Sequence, residues 1–375
     1  MCSSDLSSGQ GFGNVFNVGP VAAGIRNPDG SFFRVGQPLT NISGQNQAAP
    51  LGPGQFPLFG QFVDPLLQQP YQMQTNGGWS HELNADTVFS ADVVYSLGRD
   101  LNTRPRVNQR IPGSLSNPRI ISNAIGTALN PNTNGTRPAA SVGKSEYDAL
   151  ILGLRRRLSK GVDFTVGYAL ARSLSNIGTA VDQLNTANIQ DPNNPFDAPV
   201  QFGPTTDTDA RHRINVSATF ELPGGFRVSP IYLWRSALPV GTVDGRDLNL
   251  DGDATEIPTI AYAVDSFDPD KPLLSQVTVK QLGTCTTVNC GRGMPEQRLT
   301  VRFAKLFAIG ARARIELNAD VFNLFNSINP SGFRTRVIVP STGAPDVTLL
   351  QPTNFSGDFR RPEQRVGQVG LRFSF

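Results

Sequence analysis

Residues 215–222 read NVSATFEL. Val216, Ala218, Phe220 and Leu222 fall on one side of an extended chain, and Asn215, Ser217, Thr219 and Glu221 on the other. Successive side chains of a strand point to opposite faces, so strict alternation marks a strand with one apolar and one polar face. The same period runs through 162–170, where Val162, Phe164, Val166, Tyr168 and Leu170 oppose Asp163, Thr165, Gly167 and Ala169. It recurs at 315–321 and closes the sequence, with Val369, Leu371, Phe373 and Phe375 against Gly370, Arg372 and Ser374. Applied outward from these stretches, the rule predicts nine strands, at 71–82, 87–97, 144–158, 162–172, 211–221, 226–235, 298–307, 312–326 and 365–375. The first is the least regular, since Thr75, Gly77 and His81 interrupt its apolar face.

The connections alternate strictly between short and long. The short ones are 83–86, 159–161, 222–225 and 308–311, with hairpin chemistry and glycine for positive φ in several. The long ones are 98–143, 173–210, 236–297 and 327–364, all rich in Asn, Asp, Pro, Gly, Ser and Thr. Structureless loops longer than about 15 residues are uncommon in compact domains. An outer-membrane β-barrel accounts for them, because it has short periplasmic turns, long extracellular loops, and lipid-facing residues alternating with lumen-facing ones. If the last strand runs toward the periplasm, all eight connections fall on the expected side. Aromatic residues follow the same frame. Phe89, Phe164, Phe220, Phe226, Phe307 and Phe373 sit near short-turn ends, and Tyr71, Tyr95, Tyr147, Tyr168, Tyr232 and Trp234 toward long-loop ends. Two such girdles are expected at the headgroup levels. The alternative is the core of a soluble β-sandwich, against which stand the strand lengths and the loop asymmetry.

Composition agrees. With 37 Gly and 29 Pro in 375 residues an all-helical fold is disfavoured. Charged residues are 17%, below the roughly 25% of an ordinary soluble domain. No segment approaches the ~20 apolar residues of a membrane helix. A net charge of +3 implies no nucleic-acid partner. Two His and three Cys leave little material for catalysis, and no nucleophile elbow, metalloprotease signature or paired carboxylates stand out, so no enzyme activity is expected. Met1–Leu6 lacks the basic and apolar regions of a signal peptide.

RVGQVGLRFSF (365–375), with alternating apolar residues and a final aromatic, resembles the C-terminal signal that the barrel-assembly machinery reads; Val369, Leu371, Phe373 and Phe375 carry it. RARIELNADVFNLFNSINP (312–330) resembles the penultimate strand of TonB-dependent receptors, and more narrowly of the Oar-like branch with a carboxypeptidase-regulatory-like domain. SEYDALILGLRRRLSKGVDFTVGYALARSLSN (145–176), DARHRINVSATFELPGG (209–225) and QPYQMQTNGGWSHEL (69–83) are similar to that branch as well. The resemblance covers roughly 69–375. It implies a 22-stranded barrel, a plug, a TonB box and uptake of a ligand driven through TonB. Nine strands without a recognisable plug or TonB box then read as the C-terminal part of such a receptor, with 1–70 an irregular extracellular loop region and 71–375 barrel. An odd number of strands does not close the usual bacterial barrel. The other functional reading is a structural or adhesive surface barrel without active transport; a third is a secreted β-domain that binds glycans.

Three constellations remain. Asp247, Asn249, Asp251 and Asp253, with Gly252, match the start of a calcium loop, in which alternate oxygen ligands wrap a hard cation. Position twelve is Pro258 rather than Glu, and an Asx turn uses the same residue types. Cys285 and Cys290 would be joined outside the inner membrane, free thiols being the alternative. Arg155, Arg156 and Arg157 read as lumen wall and interfacial anchors or as contacts to an anionic ligand. Arg211, His212 and Arg213 read as ion-pair partners of Asp207 and Asp209, or as contacts to lipopolysaccharide or ligand.

Overall fold

The computed structural model describes residues 61–63, 67–103, 113–116, 137–177, 202–250, 254, 256–272, 274–309, 313–356 and 363–375. Nine long strands dominate them: β1 Tyr71–Asn84, β2 Thr87–Thr103, β3 Arg137–Ser159, β4 Val162–Ser175, β5 His212–Leu222, β6 Phe226–Arg235, β7 Glu296–Ile309, β8 Ala313–Phe322 and β9 Val366–Ser374. They lie side by side in chain order from β1 to β9, each antiparallel to the next. All nine fall where alternation places them. The fold is an antiparallel sheet of the barrel-wall kind, open between β1 and β9 among the described residues.

Register converts the alternation into two chemically distinct faces. Phe89, Leu154, Val166, Val216, Tyr232 and Leu299 form one row of directly paired residues. Phe220, Val228, Phe303, Ala319 and Val369 form another on the same face. The opposite face carries the row Arg155, Thr165, Ser217, Ile231 and Thr300. Because the sheet is a single layer, nothing among the described residues packs on the apolar face. Val369, Leu371 and Phe373 keep 75%, 70% and 56% of their surface exposed. Such a patch is a liability in water, where each square ångström of bare apolar surface costs about 25 cal/mol; acyl chains remove that cost. The sandwich reading fails here, since it requires a second layer over this face. Ile231, Leu233 and Leu306 are apolar residues on the polar face, so the separation is strong without being complete.

The turns follow from local chemistry. Lys160 and Gly161 both take positive φ, 52° and 77°, between β3 and β4. That two-residue turn matches the twist of an antiparallel pair. A Cβ on Gly161 would sit 2.8 Å from the Glu221 carbonyl oxygen, which demands glycine twice over. At the next short connection Lys305 of β7 shares the lipid face with Phe226 and Phe307. Its ammonium lies 4.0 Å from the Phe226 ring centroid and donates to the Gly224 carbonyl. The long stem stays in the apolar layer while the charge reaches the polar edge.

Three expectations need correction. β3 begins seven residues earlier than 144, and its start pairs in parallel with Gln61–Val63, so the 1–70 region contributes a short strand; the rest of that region up to 60 lies outside the described residues. The strand expected over 312–326 ends at Phe322, because Asn323 turns the backbone with φ 48° and Asn326 follows with φ 53°. Tyr147 does not join the outer aromatic girdle: it pairs with Ser96 and Ser173 on the lumen face.

Candidate functional site

Two surfaces have the chemistry to meet a ligand. The first is the lumen face. Asp163, Thr219, Glu221, Arg227, Arg302 and Asp320 line a concavity of about 570 Å³. Arg302 grips Asp320 of the neighbouring strand with two hydrogen bonds, 2.6 and 3.0 Å, and Arg227 donates to Glu221 at 3.1 Å. These two ion pairs bridge neighbouring strands, as expected of a wall that meets water rather than lipid. Arg155 belongs to this face. Arg156 lies in the opposite row beside Phe164, and Arg157 donates to the Ala85 carbonyl at 2.8 Å. The basic run is thus divided between the two faces and a turn.

The second surface is a folded cap built from long connections. Within 236–295, Ile260–Phe267 and Val277–Thr284 form an antiparallel hairpin, extended by Gly291–Arg292 and Pro239–Val240. Within 323–365, Pro330–Phe333 pairs with Pro352–Phe355. The two connections share one apolar core. Val240 and Val277 of the first pack with Val337, Leu349 and Leu350 of the second, and Tyr262, Phe267 and Phe333 close around them. Backbone bonds stitch the connections together: Val243 N–H donates to the Thr335 carbonyl at 2.9 Å, and Ile338 N–H to the Asp244 carbonyl at 2.8 Å. These loops are therefore not irregular, contrary to the reading from composition.

Buried carboxamides fasten the cap. Gln351, 2% exposed, accepts from Val277 N–H at 3.0 Å and donates to the Val277 carbonyl at 2.9 Å. Asn329 makes the same paired contact with the backbone of Gln297, both at 3.1 Å. Asn323, fully buried, donates to the carbonyls of Ser327 and Glu363. Gln351 and Asn329 each turn one donor and one acceptor to a single residue's backbone, which is what a strand neighbour would offer. A third long connection joins through Asp209, 1% exposed, which accepts from Ser173 N–H at 2.9 Å and from Arg292 at 3.2 Å. Asp209 was expected to pair with the Arg211–Arg213 run. Arg292 takes it instead, and Arg213 donates to the Thr208 carbonyl at 2.8 Å. His212 Nδ1 lies 2.8 Å from the Tyr168 hydroxyl across β4 and β5.

Cys285 and Cys290 are bonded to each other in this cap, with Cα atoms 5.7 Å apart. Asp251 and Asp253 lie outside the described residues, so the calcium expectation rests on spacing alone. Of its neighbours, Glu256 accepts from Leu248 N–H at 3.0 Å. At Asp346, burial pushes the carboxyl up, but hydrogen bonds from Thr348 and Arg336 outweigh it and hold the group below the ordinary aspartate range.

A family model described as an outer membrane beta barrel domain matches residues 3–355. The chain belongs to that family. Its place is the outer membrane of a diderm bacterium. Among curated proteins nothing matches. Among solved structures the chain is similar to the outer membrane transporter YddB of Escherichia coli, at 11% identity and TM-score 0.49, over 84% of this chain and 34% of that one. It is also similar to the FrpB iron transporter of Neisseria meningitidis (F3-3 variant), at 10% identity and TM-score 0.41, over 84% and 32%. The siderophore receptor PiuA of Acinetobacter baumannii follows, at 11% identity and TM-score 0.39, over 81% and 28%. The chain spans about a third of the length of these proteins.

Proposed function

We propose that this chain supplies barrel wall and a surface cap to a TonB-dependent receptor of the Oar-like branch, which takes up an unidentified ligand through its lumen. The observation that carries the reading is the pairing of a bare apolar face with a concave, ion-paired face on one antiparallel sheet. A wall of that kind separates lipid from an aqueous interior. The edges of β1 and β9, unpaired among the described residues, call for further strands, because hydrocarbon does not tolerate open sheet edges. TonB would act through a plug region, and the barrel-assembly machinery would read the Val369–Phe375 strand. No residue is assigned covalent chemistry.

The test is uptake in cells carrying or lacking the complete gene. Ligand accumulation that disappears on deletion and on collapse of the proton-motive force supports transport. A folded cap at the cell surface favours a second reading, an adhesive barrel. Surface attachment that survives loss of the proton-motive force, with no uptake defect on deletion, would support that one instead.

A further inference from the structure

The cap hairpin ends in an edge. Among the described residues Val277–Thr284 is the outermost strand of the cap sheet and pairs on one side only, with Ile260–Phe267. Seven of its eight residues are exposed. Edge strands are usually blunted by proline, by a bulge or by a cover, because their open N–H and C=O groups invite pairing with another chain. This one has no proline, and although its partner bulges at Asp265 and it bulges itself after Gln281, the edge strand carries no extra residue from Val277 to Gln281. Lys280 is the one charged side chain along that run, and its ammonium is turned to Asp265 at 3.3 Å.

The side chain of Gln351 shows what the edge accepts. Its carboxamide lies against the outer N–H and C=O of Val277, in the place of a neighbouring strand. Backbone groups two residues apart on a strand point the same way, so those of Val279 and Gln281 continue the same row outward. Directly beside this row is an apolar pocket of about 230 Å³, lined by Val277, Val279, Val337, Pro345, Val347 and Leu349. Val347 at its rim is 86% exposed. An edge that supplies main-chain hydrogen bonds, next to a pocket for one side chain, is how extended peptides are recognised.

We propose that the outer edge of Val279–Gln281 binds an extended peptide, which continues the pairing begun by Gln351 at Val277 and seats one aliphatic side chain in the adjoining pocket. The occupant is a peptide because only a backbone presents alternating donors and acceptors at strand spacing. This site operates at the cell surface whether or not the barrel transports, so its test is separate from that of uptake.

The probe is a fluorescent acetyl-Thr-Val-Leu-Val-Thr amide, titrated by anisotropy onto outer-membrane vesicles carrying the complete protein. Saturable binding is expected, weakened on the order of tenfold or more when alternate amides of the probe are N-methylated and their donors lost. Gln281→Pro removes one outward donor at a position where an edge strand tolerates proline, and should weaken binding to a similar degree. Val347→Asp should weaken it through the pocket. The methylated probe on the unaltered protein keeps the test valid if either variant fails to assemble. Equal affinity for the methylated probe, or no saturation at millimolar peptide, overturns the proposal. So does chain-to-chain cross-linking at Gln281→Cys that the peptide fails to displace, since the occupant would then be a second copy.

Discussion

The wall and the cap are built from the same chain by opposite rules. In the wall, apolar residues stay exposed: Val369, Leu371 and Phe373 lie bare on the face opposite the ion pairs. In the cap, apolar residues are hidden: Leu350 is fully buried and Leu349 and Val337 nearly so. The wall holds itself by a continuous backbone ladder. The cap holds itself by a small core and by side-chain amides that stand in for missing strands. A protein that keeps both in one chain places a water-soluble fold on top of a lipid-soluble one, with β6, β7, β8 and β9 as its four roots.

This contrast can be broken at either end. The largest effect is expected from Leu350→Ala. It should cost the cap about 2–5 kcal/mol, the range for emptying a buried leucine site, and should expose the cap to surface-applied protease while the wall stays assembled. Protease resistance equal to the parent would show that the core is not what holds the two connections. Val216→Arg is expected to destabilise the wall by about 2–4 kcal/mol, as for a charge on the lipid face near the bilayer midplane, whereas Ser217→Arg one residue along should cost far less. Denaturant unfolding of the folded barrel measures both, and equal penalties would refute the assignment of faces.

Gln351→Leu sharpens the comparison further. It keeps bulk and removes the amide, leaving the Val277 N–H and C=O without their partner, at a cost of about 1–3 kcal/mol confined to the cap. Hydrogen exchange at Val277 should rise while exchange in β5 and β6 stays as it was. The smallest effect concerns pH. The Asp346 carboxyl is held below its ordinary range, so its contribution is fully present above the unfolded-state value and is lost as pH falls through the lower folded-state value. Cap protection should therefore decline on acidification, and Asp346→Asn should remove that part of the decline. An identical acid profile in the variant would show that the carboxylate is not involved.

How much was legible follows from the same contrast. A wall strand advertises itself through neighbours two residues apart, as in Val216, Ala218 and Phe220, so nine strands and their turns could be read from local order. The cap core joins Val240 to Leu350 across more than a hundred positions. No local period records such a contact, and short strands such as Pro330–Phe333 give a period nothing to run on. Ile260–Phe267 was within reach, since Ala261 and Ala263 alternate with larger residues, but its Asn- and Pro-rich surroundings pointed to a loop. The partner of Asp209 was misjudged for the same reason: Arg211 is near in sequence, and Arg292 is near in space. The turn at Asn323 was legible but outweighed by the apolar residues beyond it: in LNADVFNLFN alternation breaks after Val321, where Phe322 follows directly and asparagine, which tolerates positive φ, takes the apolar phase.

The central claim is that one face of this sheet meets lipid and the other water. Single spin labels at positions 215 to 220, one per protein and in native outer membrane, test it most directly. Oxygen should relax labels at 216, 218 and 220 most strongly, and a polar relaxant those at 215, 217 and 219. Accessibility that fails to alternate, or that alternates in the opposite phase, would contradict the account.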